Sequence, residues 1–149
     1  TYSLEDPFNS AVSPNAQAAI IYEGTGGEAI SHISNAGDIN DDSHDDWIIG
    51  GRLNSTTAFE SGAAYLLYGG PNAWGNYWNN NGQPINQNIS ISDAANTSNN
   101  AAVIYGDTGN YKFGSTTDGG DLSGDGISDL IIGSNTPNSA VYIFFGGGT

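Results

Sequence analysis

The chain has no cysteine and no methionine among its 149 residues. Disulfides, thiol nucleophiles and thiolate metal sites are therefore excluded. Basic residues are almost absent: only Arg52 and Lys112 stand against 16 acidic residues, for a formal net charge of −14. So anionic a surface does not favour nucleic-acid phosphates or an acidic membrane face, and no nucleic-acid partner is expected. No apolar run approaches the roughly 20 residues needed to span a bilayer, so no membrane insertion is expected. The opening Thr1 fits a processed mature form or an excised segment, and no secretory leader is expected within the sequence.

Catalytic signatures are missing as well. No Ser/His/Asp arrangement, phosphate loop or nucleotide fingerprint is visible. A glycosidase-like carboxylate pair is not excluded, but Glu5, Glu23, Glu28 and Glu60 follow no pattern. The expectation is a protein that is not an enzyme. What the chain does have is 22 glycines and 18 asparagines, a turn-rich and β-rich composition. With its acidity this suggests an extracellular protein that meets calcium at about millimolar concentration.

The chain also repeats itself. Shifted by 83 residues, AAIIYEGTG (Ala18 to Gly26) falls on AAVIYGDTG (Ala101 to Gly109), and GDINDDSHDDWIIGG (Gly37 to Gly51) falls on GDLSGDGISDLIIGS (Gly120 to Ser134). After that the offset becomes 77, and GAAYLLYGG (Gly62 to Gly70) lies over SAVYIFFGG (Ser139 to Gly147). The first copy has a connection six residues longer. Repeats of this length mean stacked or radial units that cannot bury their own apolar faces alone. The organisation read from this is a first repeat over 1–70, an aromatic Gly/Asn-rich insert over 71–84 and a second repeat over 85–149.

Four strand-like runs are predicted per repeat: Ala18–Tyr22, Ala29–Ser34, Trp47–Gly50 and Ala63–Tyr68, then Ala101–Tyr105, Phe113–Thr117, Leu130–Gly133 and Ala140–Phe145. A further strand is expected near Ile89–Ile91. All are short, apolar or β-branched, and bounded by Gly, Asn, Asp or Ser. WIIG and LIIG are apolar on both faces, as inner strands are. No window has helical periodicity, so the class is all-β.

Nine of the acids lie in the two turn regions: Asp38, Asp41, Asp42, Asp45 and Asp46, then Asp118, Asp121, Asp125 and Asp129. Counting from the first aspartate of each turn, positions 1, 3, 5 and 9 are Asp38, Asn40, Asp42 and Asp46, and Asp121, Ser123, Asp125 and Asp129. Position 7 offers a backbone carbonyl, from His44 or Ile127. Oxygen donors alternating around a tight turn converge on a hard cation, and calcium takes six to eight of them. Position 6 favours φ > 0, which Gly126 supplies freely and Ser43 does not. An EF-hand needs a bidentate acid at position 12, where Ile49 and Ile132 stand instead, so that reading fails. Two bound divalent ions would bring the formal charge from −14 to −10.

These features resemble the FG-GAP repeat of integrin α-subunit β-propellers. The resemblance is fullest in FGSTTDGGDLSGDGISDLIIGSNTP…SAVYIFFGG, which has the Phe113-Gly114 pair, the nine-residue loop and the two following strands in family order. Gly133-Ser134-Asn135 stands where the family has Gly-Ala-Pro. In the first repeat Ile30-Ser31 and Gly50-Gly51-Arg52 replace the two signatures. The resemblance implies four-stranded propeller blades with calcium bound between the first two strands. Its ligands, carried over, are Asp38, Asn40, Asp42, His44 (carbonyl) and Asp46 at one site, and Asp121, Ser123, Asp125, Ile127 (carbonyl) and Asp129 at the other.

Two repeats do not close a propeller, and they are out of phase with the blade. AAIIYEG resembles the outer, fourth strand of a preceding blade, and AVYIFFGGG a third strand. The resemblance thus implies an incomplete propeller whose last blade lacks a strand that the N-terminal run of another copy could supply. Two readings stand: head-to-tail self-assembly into a filament or ring, or a piece of a larger propeller with an adhesion role and a glycan or surface-protein partner. A hydrolase accessory domain is a third.

Trp74, Tyr77 and Trp78 in the insert suit either a ligand platform or a plug beside a neighbouring blade. His32 is expected at the surface. Asn54, Asn88 and Asn96 begin glycosylation-type triplets, which 18 asparagines produce by chance. Chelation with EGTA is expected to lower the melting temperature followed by circular dichroism, and an unchanged melt would end the calcium reading.

Overall fold

The computed structural model describes residues 20–22, 27, 29–70, 88–91, 101–135 and 139–147. Among these residues nine strands follow in chain order: β1 (Ile20–Tyr22), β2 (Ile30–Gly37), β3 (Asp46–Gly51), β4 (Ala63–Leu67), β5 (Asn88–Ser90), β6 (Ala101–Tyr105), β7 (Thr116–Gly120), β8 (Asp129–Ser134) and β9 (Ala140–Phe144). They form a four-stranded sheet ordered β2-β3-β4-β6, a three-stranded sheet β7-β8-β9 and a two-stranded pair β1-β5. The two larger sheets are antiparallel throughout. The all-β class holds. Ile91, expected in a strand, takes helical backbone instead.

The phase that the resemblance implies is what the sheets show. β6 belongs by sequence to the second repeat, yet it is the outer strand of the first sheet, paired with β4 from Ala63↔Tyr105 to Leu67↔Ala101. With β6 beside it and cover on both faces, all five residues of β4 are buried. This is why Ala-Ala-Tyr-Leu-Leu shows no alternation: neither face meets water. Ile48, Ala64 and Leu66 point to the second sheet and join Ala36, Phe113, Leu130 and Ile132 in one core, with Ala102 and Ile104 packed against it. Ile49, Ala63, Tyr65 and Leu67 point the other way and join Ile91, with Ile21, Ala101 and Val103 around them. Each fully buried aliphatic side chain contributes about 1.5–3 kcal/mol, so these two cores dominate what holds the strands together.

Between the two sheets runs a polar seam. Ser31 Oγ donates to the carbonyls of Gly114 at 2.8 Å and Gly50 at 3.2 Å. Ser34 Oγ donates to the Thr117 carbonyl, and the Thr117 N–H donates to His32 Nδ1 at 3.4 Å. The first repeat's longer connection forms a latch across the same junction. Asn110, Lys112 and Phe113 donate backbone N–H bonds to Phe59, Glu60 and Ser61, and Lys112 Nζ pairs with Glu60 at 3.4 Å.

The second sheet's first strand starts later than predicted, at Thr116 rather than Phe113. Phe113 makes only an isolated bridge to Gly62 and sends its ring into the core, edge-on to Tyr142 at 5.2 Å. Gly114 (φ 80°) then turns the chain. β7 reads Thr-Thr-Asp-Gly-Gly, poor in strand formers, because Gly119 lies against the backbone of Ala36 with no room for a side chain. β2 extends to Gly37 but carries register shifts at Ile30/His32 and Asn35/Gly37. β7 pairs without a shift, so the gapless 83-residue alignment does not survive as strand register.

β9 contrasts with its repeat counterpart β4. Where the β4 side chains are 5 % exposed or less, Val141, Tyr142, Ile143, Phe144 and Phe145 are between 37 % and 70 % exposed. Among the described residues, β8 is the one strand that pairs with β9. Ile143 and Val141 share with Ile131 the face turned away from the first sheet.

A Cβ on Gly50 would overlap the Gly114 carbonyl, which is backbone and cannot rotate away. Gly50→Ala is therefore expected to cost about 1–3 kcal/mol, whereas Gly147→Ala, which meets no atom within 4 Å, should leave the urea midpoint in place.

Candidate metal centre

The turns Asp38–Asp46 and Asp121–Asp129 connect the first and second strands of each larger sheet. Their backbones match. Positions 4 and 6 both take positive φ, as Asp41 (59°) and Ser43 (69°) in the first turn and Gly124 (80°) and Gly126 (91°) in the second. Asp38 Oδ1 accepts the Asp42 N–H at 3.0 Å and its Oδ2 the Ser43 N–H at 2.7 Å. Asp121 does the same for Gly124 and Asp125 through Oδ1 and for Gly126 through Oδ2. Position 5 accepts from position 7: His44 N–H to Asp42 Oδ1, and Ile127 N–H to Asp125 Oδ1, both at 2.9 Å. The side chains at positions 1 and 5 are thus turned into the loop by its own amides.

The aspartate at position 9 sits beneath each turn. Asp46 and Asp129 are fully buried. Asp46 accepts the Ile39 N–H at 3.0 Å and the Gly69 N–H at 2.7 Å. Asp129 accepts from Leu122, Ser123 and Gly146 at 2.8, 3.0 and 3.0 Å. Each carboxylate therefore ties its turn to the chain just beyond the third strand. Asp46 titrates above the ordinary carboxylate range because burial opposes its charge; the Gly69 and Ile39 N–H bonds offset this only in part, and the charges of Asp42 and Asp38 add to it. Burial opposes the charge of Asp129 too, but the N–H bonds from Gly146, Leu122 and Ser123 outweigh it and its pKa lies below the usual value. Asp42 is lowered, first by its bond from the Asn40 side chain.

The two turns lie side by side on one rim: the Ser128 N–H donates to the Asp38 carbonyl at 3.0 Å. Their charges gain little from cationic partners. Among the described residues the ion pairs are Lys112–Glu60, away from the turns, and His44–Asp42 at 3.3 Å. His44 Nδ1 also lies 2.9 Å from the Asp42 carbonyl. Both partners only accept, so Nδ1 carries the proton. Among the described residues no three His, Cys, Asp or Glu side chains form a metal-sized cluster. The donor set nonetheless fits a hard divalent cation. It is all oxygen, partly from Asn40, Ser123 and backbone carbonyls, and a carboxylate that accepts an N–H keeps lone pairs for a metal.

Residues 113–144, spanning the second turn and the strands on either side, match the FG-GAP repeat family. The match covers 32 of the 149 residues. No curated protein matches the chain. The Phe-Gly pair of this FG-GAP unit is Phe113-Gly114, the ring that fills the core between the sheets and the glycine that turns beneath it.

Trp74, Tyr77 and Trp78 lie outside the described residues, as does Asn96. The Asn54 triplet is not available for glycosylation, because Asn54 is buried and donates to the Tyr65 hydroxyl at 3.0 Å. His32 is exposed as expected, yet its Nδ1 reaches across to the second sheet. Neither the adjacency of the turns nor the His32 bridge had a local sequence signal.

Ser43→Gly is expected to stabilise the protein by roughly 0.5–1 kcal/mol in urea denaturation, since it relieves a left-handed serine. The two position-9 aspartates should respond to pH in opposite senses. With its raised folded pKa, Asp46 contributes stability below the unfolded carboxylate value that is lost as pH rises through the folded one. With its lowered pKa, Asp129 contributes stability above the unfolded value that is lost as pH falls through the folded one. In calcium-free buffer at pH 7, Asp129→Asn should therefore lower the urea midpoint more than Asp46→Asn, and the gap should close towards about pH 4.

Proposed function

We propose that this chain is a calcium-binding, extracellular structural module that assembles head to tail by completing one copy's second sheet with a strand of the next. The observation that carries this reading is β9, an apolar strand whose residues Val141 to Phe144 are exposed, as is Phe145 beyond it, and whose outer edge has no partner among the described residues. Such an edge is a template for strand addition unless it is covered. The contact is heterologous, so it propagates into a ring or a filament.

Calcium would be held by Asp38, Asn40, Asp42, the His44 carbonyl and Asp46, and by Asp121, Ser123, Asp125, the Ile127 carbonyl and Asp129. When bound it supplies positive charge to a rim of carboxylates. Lower charge on both turns also weakens repulsion between copies whose formal net charge is −14 each. A structural rather than catalytic role is supported by the use of the turn carboxylates as backbone acceptors.

The second reading is a part of a larger integrin-like propeller with an adhesion or glycan-binding role. It is favoured by open apolar faces at both ends of the stack, Ile33 and Trp47 on the first sheet and Val141 and Ile143 on the second. Neighbouring blades of a longer chain would cover both. Light scattering and negative-stain microscopy of the purified protein, with millimolar calcium and with EGTA, separate the two. Calcium-dependent rings or filaments are expected; a well-folded monomer in both buffers would defeat the assembly.

A further inference from the structure

We infer that β1 of one copy pairs antiparallel with β9 of the preceding copy, in the register that β6 takes on β4, and that β5 holds this place on β1 until it does. The inference rests on the head-to-tail reading and specifies its joint.

The template lies inside the chain. β6 reads Ala-Ala-Val-Ile-Tyr and pairs with β4 over five residues, Ala63↔Tyr105 through Tyr65↔Val103 to Leu67↔Ala101. The N-terminal run reads Ala-Ala-Ile-Ile-Tyr, differing by one methylene. Carrying each strand by its own repeat offset places Ala140 opposite Tyr22, Val141 opposite Ile21 and Tyr142 opposite Ile20.

β1 already occupies the matching position against the first sheet. Ile21 packs on the cluster that holds Ile49 and Tyr65, as Ile104 packs on the cluster that holds Ile132. Ile21 is the repeat counterpart of Ile104, and Ile49 of Ile132. β1 is therefore to the first sheet what β6 is to the second: the outer strand of a blade stacked behind it. Among the described residues the inner strands of that blade are represented by β5 alone, which pairs with β1 in parallel over three residues, Ile20↔Asn88 to Tyr22↔Ser90. Ile91, directly after β5, is fully buried with Ile49 and Tyr65, so β5 approaches β1 from the side of the inner strands.

Exchange of β5 for β9 would replace a short parallel ladder with a longer antiparallel one, the more stable pairing per residue. It would also bring the exposed Val141 and Ile143 of one copy against the exposed Ile33 and Trp47 of the next. That contact repeats the one in which Ile48 and Leu66 meet Leu130, the counterpart of Trp47. The exchange within one copy is ruled out by placement, because β1 packs on the face of the first sheet opposite the one that meets the second sheet.

The chain has no cysteine of its own, so the register can be read by disulfide trapping. Facing residues of an antiparallel pair stand about 4.5–5.5 Å apart at Cα, within disulfide reach. The full-length double variant Ile21→Cys/Val141→Cys, oxidised in millimolar calcium, is expected to give a ladder of covalent oligomers on a non-reducing gel. Ile21→Cys/Tyr142→Cys, one residue out of register and on the other face, should give several-fold less. Tyr22→Cys/Ala140→Cys is a second in-register pair should Ile21→Cys disturb folding. Assemblies seen by light scattering with no in-register ladder in either pair would overturn the strand exchange and leave head-to-tail assembly standing. A protein that stays monomeric would overturn both.

Discussion

A buried carboxylate at the root of each turn is the interaction on which the rest of this structure depends. Asp46 and Asp129 reach from the first residue of β3 and β8 to amides in the preceding turn and to the amide just past the third strand, Gly69 or Gly146. Three consecutive pieces of chain are fastened by one side chain. The turn is thereby held in a conformation that otherwise puts two residues at positive φ and gathers several like charges. An asparagine could satisfy only part of this bracket, because its amide nitrogen cannot accept.

The same bracket explains why the two turns are not equivalent. The second has glycine at both left-handed positions and three N–H donors on Asp129, and its carboxylate is stabilised as an anion. The first has Asp41 and Ser43 at those positions and two donors on Asp46, whose charge is opposed by burial and by Asp42 and Asp38. The first turn is the strained one.

Stacking of the sheets depends on a second constraint, the close approach of backbones. Gly50, Gly114 and Gly119 lie where a side chain would collide with main chain of the other sheet or the neighbouring turn. Serine and histidine side chains then bond the main-chain groups along this seam. The six extra residues of the first repeat add the latch from Phe59 to Ser61. Together these close the junction between the two sheets, while among the described residues nothing pairs with the far side of β9.

Much of this was legible from residue order alone. Apolar runs bounded by turn residues located the strands, and the resemblance to the FG-GAP repeat implied their phase, so that Ala101–Tyr105, the counterpart of Ala18–Tyr22, could be assigned to the preceding blade. The turn positions likewise followed from local chemistry, since alternation of oxygen donors and a need for positive φ are properties of contiguous residues. Other features were settled only in three dimensions. The bulge beside Ala36, the late start of β7, the burial of Asn54, the pairing of β1 with β5 and the adjacency of the turns all depend on what lies across from a residue, often some eighty positions away in sequence. Sequence by itself determined the strands and the acidic turns because periodicity and turn chemistry act over a few residues. Only the tertiary structure decided which carboxylates are buried and which strand keeps exposed side chains, because both are set by the packing of distant segments.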